Sequence, residues 1–268
     1  MKIAISGATG RMGLAVARLA QADSDIEIVG GAAAPNDPNQ GRDIGELAGI
    51  GSVGVAVTAD MASALLSAEV VIDFSVASVV KSLVQLAVRS KIAVVSGTTN
   101  LDADAKASLD KAAQTIPILW APNMSLGVQV LAELTEHALR RLGPTFDAEI
   151  VEIHHRKKID APSGTALRIA EAISEGRGTG RDRSFILARE GETGARPAGS
   201  IGVLALRGGD NPGEHTAIFL GQGERLELIH RSATRDHFAR GALRAAAWVL
   251  QHPPGLYDME HVIGLRPA

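Results

Sequence analysis

The chain has 268 residues, enough for one large or two modest domains, each with its own core. A formal net charge of −3 leaves no electrostatic footprint for nucleic acid or an anionic membrane, and aromatic residues at 3% exclude a base-stacking platform. Cysteine is absent, which excludes disulfides, thiol chemistry and Cys-ligated metals.

The chain opens as a strand, Lys2 to Ser6, and not as a basic and apolar leader. No stretch approaches the ~20 apolar residues of a membrane span, so a soluble cytoplasmic protein is expected. The strand runs into Gly7-Ala8-Thr9-Gly10-Arg11-Met12-Gly13, followed by a helical stripe of Met12, Val16 and Leu19. Strand, glycine turn and helix in this order are a GxxGxxG variant of the dinucleotide fingerprint. Gly7 allows the tight turn, Gly10 admits a pyrophosphate to the backbone, and Gly13 lets helix and strand pack closely. A second strand, Ile26 to Ala32, follows at the expected distance.

The alternation then continues. Strands are predicted over Val53 to Val57, Val70 to Phe74, Ala93 to Ser96 and Ile116 to Ala121, the last with Pro117 near its start or on an edge. Helices are predicted over Met61 to Leu66, Val79 to Val88 and Leu101 to Ala113. Repeated βα units imply a parallel sheet with right-handed crossovers, and ligands bind beyond the carboxyl ends of its strands. Those ends carry the glycine turn, Asp73-Phe74-Ser75, Ser96-Gly97-Thr98-Thr99 and Ala121-Pro122-Asn123-Met124. Each turn alone is ordinary loop chemistry; their shared rim makes a cofactor cleft.

A long helix, Ser125 to Leu142, bridges into a second domain. There Glu149 to Ile153 reads as a strand, followed by five basic or titratable residues, His154, His155, Arg156, Lys157 and Lys158. Asp160-Ala161-Pro162-Ser163-Gly164-Thr165 then opens a helix with Leu167, Ile169, Ala170 and Ile173 on one face, capped by Ser163 or Thr165. A charge run by itself is as readily a solvated loop. Placed between a strand end and a glycine-bearing helix start, it reads as an anion site beside proton donors. The helix start attracts carboxylates, Gly164 leaves its backbone open, and a lysine among cations has its pKa pushed toward the range of an acid catalyst. Lys157 reads as solvated, Arg156 as structural, and His215 and His230 as ordinary strand histidines.

A Gly- and Arg-rich, mobile loop is expected over Gly176 to Arg183. Strands Ser200 to Arg207 and His215 to Leu220 flank a glycine-rich loop, and Gly221 to Glu224 turns into Arg225 to Ser232. Hairpin-like connections of this kind imply antiparallel neighbours. A helix over Asp236 to Leu250 and a short strand over Met259 to Leu265 complete the chain. The expected fold is α/β, an N-terminal Rossmann-type parallel sheet plus a C-terminal α+β domain with an open mixed sheet. The domains are placed at 1–124, with the tail from about 240 to 268 packing back on it, and at 125–239.

GATGRMG at 7–13 and EIHHRKKIDAPSGTAL at 152–167 resemble the 4-hydroxy-tetrahydrodipicolinate reductase (dihydrodipicolinate reductase) family. SGTTNLD at 96–102, APNMSLGV at 121–128, RGGDNPGEHT at 207–216 and HFARGALRAAAWVL also resemble it, so the likeness spans nearly the whole chain in order. The resemblance implies reduction of a cyclic, unsaturated dicarboxylate by NADH or NADPH, in the diaminopimelate route to lysine, by a homotetramer. It carries Gly7, Ala8, Thr9, Gly10, Arg11, Met12, Phe74, Gly97, Thr98, Thr99, Ala121, Pro122, Asn123 and Met124 onto cofactor contacts. It carries His154 and Lys158 onto the proton donors or acceptors, and His155, Ser163, Gly164 and Thr165 onto substrate contacts. With cofactor rim and anion site on different domains, domain closure is expected.

One departure stands out. The family's acidic ribose-binding residue and its basic neighbour fall, in ungapped register, on Ala33 and Ala34. Asn36, Asp37 or Arg42 can substitute if the loop folds inward, and no strong preference for NADPH is expected. Two other readings compete with the reductase. Another two-domain amino-acid dehydrogenase would need its own substrate-domain signature. A non-catalytic nucleotide sensor would predict decay of the His154 to Lys158 run, which is intact.

Overall fold

A computed structural model of the chain describes residues 1–179 and 185–267. The chain divides into two compact units, Met1–Leu126 together with the segment from Arg235 onward, and Gly127–Thr234.

The first unit alternates strand and helix: β1 (Lys2–Ser6), α1 (Arg11–Gln21), β2 (Glu27–Ala32), α2 (Ile44–Ala48), β3 (Val57–Thr58), α3 (Met61–Leu65), β4 (Val70–Asp73), α4 (Ala77–Ser90), β5 (Ala93–Ser96), α5 (Ala103–Ala112) and β6 (Pro117–Trp120). In the second unit follow α6 (Leu126–Leu142), β7 (Asp147–His154), α7 (Gly164–Gly176), β8 (Phe185–Ile186), β9 (Ile201–Arg207), β10 (Glu214–Leu220) and β11 (Arg225–Arg231). The chain then returns to the first unit with α8 (Asp236–Val249), β12 (Gly255–Tyr257) and α9 (Met259–Val262).

The first sheet has seven parallel strands in the order β12-β6-β5-β4-β1-β2-β3. Its central strands are buried on both faces, as βα crossovers require, and their two parities feed two cores. Ile3, Ile5, Val70 and Ile72 pack with Val16 and Ala17 of α1 and Ala242 and Ala246 of α8. Ala4, Val71, Val94 and Ile118 pack with Leu83 and Val84 of α4 and Leu109 of α5. A fully buried Val, Leu or Ile side chain contributes about 1.5–3 kcal/mol, so these apolar runs set the sheet. Pro117 opens β6, which is not an edge because β12 pairs with it.

The second sheet is mixed, in the order β11-β10-β7-β9-β8. β7 pairs antiparallel with β10 and parallel with β9. One face is covered: Ala148, Ile150, Val203, Ala217 and Phe219 pack against Leu131 and Leu139 of α6 and Ile169 and Ile173 of α7.

Three expectations are corrected. Of the strand read over Val53 to Val57, only Val57 pairs with β2, joined by Thr58 just beyond it. The amides of Val53 and Val55 turn onto the Asp43 carboxylate at 3.1 Å, and that of Gly54 at 2.7 Å. A carboxylate that gathers local donors competes with a sheet ladder. Second, β9 and β10 are not neighbours: β7 lies between them, and the Gly208–Gly213 loop crosses its carboxyl end. Third, Met259 to Val262 is helical, fixed by a capping box at Asp258, while the strand falls at Gly255–Tyr257. The loop expected over Gly176 to Arg183 lies partly outside the described residues; Gly176 closes α7.

Candidate functional site

In the first unit the register brings the strand ends level. Ser6 pairs with Ala32 and Asp73, Asp73 with Ser96, and Ser96 with Trp120. The turns after β1, β2, β4, β5 and β6 therefore share one rim. Asp73, fully buried, ties the turns after β4 and β5 together. It accepts hydrogen bonds from the hydroxyls of Ser75 at 2.6 Å, Ser96 at 2.8 Å and Thr98 at 2.7 Å. Trp120 Nε1 donates to the Thr98 carbonyl at 3.0 Å. A Cβ on Gly97 would stand 2.8 Å from Phe74 Cδ1, so that ring covers the turn after β5. The Asn123 side chain accepts from the Ser125 amide at 2.8 Å, and Gly241 of α8 packs on the backbone of Met124. Ala121 is buried and Pro122 exposed beside them, and Thr99 is exposed on the outer side of its turn.

The glycine turn fits a dinucleotide. Gly7 has φ +76°, and a Cβ there would meet the Phe74 carbonyl oxygen at 2.6 Å. A Cβ on Gly13 would press on Ala8 Cα at 2.8 Å, which explains why α1 can lie so close to β1. Around Gly10, by contrast, the Gly7 carbonyl oxygen at 3.2 Å is the sole heavy atom of the described residues, chain neighbours aside, within 4 Å of a Cβ. α1 has no side-chain cap among the described residues, so its first-turn amides open onto that space, as a pyrophosphate requires. Arg11 is exposed and Met12 half-buried on the same turn. Thr9 Oγ1 donates to Asp37 Oδ2 at 2.6 Å, so the loop after β2 does fold inward. Ala33 and Ala34 take part through backbone: the amide of Ala33 bonds Thr58, and Gln40 Nε2 donates to the Ala34 carbonyl at 2.7 Å.

In the second unit the cluster grows from the alternation of β7. Ala148, Ile150, Glu152 and His154 share the inward face and are all buried. Glu152, 0% exposed, accepts from both terminal nitrogens of Arg207, at 2.9 and 2.8 Å, from the Ser163 amide at 3.1 Å, and contacts His154 Nδ1. Burial alone would raise its pKa, but the His154, Arg207 and Ser163 contacts outweigh burial and hold it at about 2. The carboxylate fixes the Nδ1 proton of His154, which leaves Nε2 as its outer ring nitrogen. Ser163 caps α7 by accepting from the Ala166 amide at 3.1 Å, and its hydroxyl lies 3.1 Å from His215 Nε2. The His154 and His215 rings meet edge-on at 5.2 Å. Burial first, then neighbouring His154, pushes His215 down to about 3.

Lys158 is half-buried and donates to both carboxylate oxygens of Asp160 at 2.8 Å, so its charged partner is an anion and not the cations beside it in sequence. Arg156 and Lys157 are exposed, and His155 is half-buried. The crossing loop clamps this run: the His155 amide bonds the Asn211 carbonyl at 2.9 Å and the Gly208 amide bonds the His154 carbonyl at 3.0 Å. Gly164 is exposed, with no heavy atom of the described residues beyond its chain neighbours and its own helix backbone within 4 Å of a Cβ position, and half-buried Thr165 follows in the first turn of α7. His154, His155, Lys158, Ser163, Gly164 and Thr165 are thus gathered at the joint between β7 and α7.

Sequence reasoning missed Glu152, Arg207 and His215. Glu152 carried a signal, since it stands at the same strand parity as Ala148 and Ile150, where a charge must find partners. His215 carried none, because nothing in the sequence shows that β10 lies beside β7. Among the described residues no helix is long and apolar enough to cross a membrane.

Comparison with known proteins meets this geometry over the full length. Residues 1–124 match the family model for the dihydrodipicolinate reductase N-terminus, and residues 127–263 that for its C-terminus. The chain is 46% identical over 265 residues to 4-hydroxy-tetrahydrodipicolinate reductase of Anaeromyxobacter dehalogenans, covering 99% of this chain and 98% of that one. It is 47% identical over 269 residues to the enzyme of the same name from Myxococcus xanthus, again covering 99% and 98%. Among solved structures, a dipicolinate-bound dihydrodipicolinate reductase from Paenisporosarcina sp. TG-14 superposes with a TM-score of 0.74 at 23% identity, covering 96% of this chain and 97% of that one. With both halves matched and nearly half of all positions shared with named relatives, the chain belongs to the dihydrodipicolinate reductase family.

Proposed function

We propose that this protein reduces 4-hydroxy-tetrahydrodipicolinate to tetrahydrodipicolinate with NADH or NADPH, a step on the diaminopimelate route to lysine. Its relatives carry that reductase name at 46% and 47% identity across the whole chain. The observation that carries the chemistry is the joint of β7 and α7, where His154, Lys158 and the open helix start at Gly164 meet. A dicarboxylate needs two anion sites. One carboxylate rests on the start of α7 at Ser163, Gly164 and Thr165, where backbone amides and the helix dipole favour negative charge. The other rests on the cationic run, with His155 beside it. The Paenisporosarcina reductase, solved with dipicolinate, binds a ligand of this shape.

Loss of the 4-hydroxyl group as water leaves a conjugated C=C–C=N system, to which a bound nicotinamide would supply a hydride. Addition at one end builds negative charge on the far atom, and an acid of this chain must protonate it. Lys158 is that acid, and His154, held by Glu152, supports it or relays the proton. The glycine turn from Gly7 to Met12 would hold the pyrophosphate. Phe74, Gly97 to Thr99 and Ala121 to Met124 line the same rim for the rest of the dinucleotide. The enzyme works in the cytoplasm as a homotetramer, a reading supported by its relatives' biosynthetic role and by the uncovered face of its second sheet.

The test is nicotinamide absorbance with the condensation product of pyruvate and aspartate semialdehyde as substrate. Oxidation that depends on this substrate and is inhibited competitively by dipicolinate is expected. No oxidation with either NADH or NADPH would favour the sensor reading instead.

A further inference from the structure

We propose that Asp37 reads the adenosine ribose of the dinucleotide in this chain and that its charge makes NADH the preferred reductant over NADPH. This rests on the reductase function proposed above and adds to it the residue that selects the cofactor. In a βαβ nucleotide unit, an acidic side chain just past the second strand takes the ribose hydroxyls. Here the two residues past β2 are Ala33 and Ala34, whose methyl groups can neither accept a hydroxyl proton nor pair with a phosphate.

The loop delivers an acid to that place from farther along. It reverses at once: the Asp37 amide bonds the Ala34 carbonyl at 2.9 Å, and Gln40 Nε2 holds the Ala34 carbonyl from the other side. Asp37 thereby reaches the glycine turn, where its Oδ2 accepts from Thr9 Oγ1 at 2.6 Å. Its Oδ1 accepts from the Asn39 amide at 2.8 Å and from Asn39 Nδ2 at 3.1 Å. A carboxylate has about four acceptor sites, so these contacts leave one for a ribose hydroxyl, on the oxygen that already faces the turn. The Thr9 hydroxyl first, and the Asn39 amide next, hold the carboxyl below its ordinary range, so it is an anion at neutral pH.

An anion in that position suits a free 2′,3′-diol and opposes a 2′-phosphate, which would sit against like charge. Two cations are near in sequence. Arg42 directs a guanidinium N–H to Asn39 Oδ1 at 3.0 Å, on the residue that braces Asp37. Arg11, exposed at the first turn of α1, is the competing feature: if it governed the choice, NADPH would be the tighter ligand.

The experiment is calorimetric titration of the full-length protein with NADH and with NADPH, without substrate, for the wild type, Asp37→Asn and Asp37→Ala. The wild type is expected to bind NADH at least about tenfold more tightly than NADPH. Asp37→Asn, which removes charge but keeps hydrogen-bonding atoms, should tighten NADPH about tenfold and leave NADH within about threefold. Asp37→Ala should weaken NADH about tenfold and erase the discrimination. A wild type that prefers NADPH, or discrimination unchanged in both variants, overturns the assignment while leaving the reductase function standing. Failure of the wild type to bind either dinucleotide overturns both.

Discussion

Glu152 is fully buried and still ionised because every direction around it holds a donor: His154, Arg207 and the Ser163 amide. Removing Arg207, whose NH2 group also bonds the Asp160 carbonyl at 2.7 Å, strands that charge. Arg207→Ala is expected to cost about 3 kcal/mol in chemical unfolding, with the loss recovered in part by adding Glu152→Gln. Independent, additive losses would show that the two do not act as a pair. The same cluster sets an acid limb. Glu152 has its folded pKa lowered to about 2 from 4.5, so its contribution is complete above the unfolded value and fades as pH falls from 4.5 toward 2. His215 is lowered to about 3 from 6.5, so the unfolded chain takes up a proton first, and stability falls as pH drops from 6.5 toward 3. Between pH 6.5 and 4.5 the His215 contribution acts without that of Glu152, with a slope of up to about 1.4 kcal/mol per pH unit. His215→Phe should flatten the dependence of the urea midpoint in that window; an unchanged slope would assign it elsewhere.

At the scale of elements, periodicity carried most of the fold. Apart from the short α2, which was not predicted, the βα alternation from Lys2 to Trp120, the helix over Leu126–Leu142 and the β10–β11 hairpin were legible, because burial on one face or two writes a pattern into each segment. The elements that were not legible are those decided by a single long-range partner. Asp43 pulls Val53 to Val55 out of the third strand, and β7 enters between β9 and β10 through pairings with no local trace. At the candidate site the cationic run and the open helix start were legible as motifs. Their buried supports were not, because Arg207 and His215 arrive on neighbouring strands whose order the sequence does not state. The crossing loop also braces the site from above. Gly213 has φ +148°, and a Cβ there would stand 2.8 Å from His154 Nε2. Gly213→Ala is therefore expected to displace that ring and lower kcat about tenfold or more while cofactor affinity holds, read by initial rates and nucleotide titration. Full activity in this variant would mean that the position of His154 is not critical.

At the scale of the molecule, the second sheet covers one face with α6 and α7 and leaves apolar side chains on the other: Leu206, Leu220 and Ile229 are each more than a third exposed. Among the described residues β11 is also an edge strand, seven residues long, with an unpaired side. Natural proteins seldom leave such an edge and such a face to solvent, which supports assembly through this sheet. Sedimentation equilibrium is expected to give the mass of four chains, and Ile229→Glu to shift it toward smaller species; a wild-type monomer at micromolar concentration would contradict the tetramer. The proposed reaction divides its labour between two sites: the glycine turn to hold the reductant and the β7–α7 joint to supply the proton. The most direct test is Lys158→Ala, with kcat for the tetrahydrodipicolinate-forming reaction measured beside the dissociation constant of NADH. The expected result is a loss of about 10²–10³ in kcat with NADH affinity within about threefold of wild type. An unchanged kcat, or a loss of nucleotide binding in step with turnover, would contradict it.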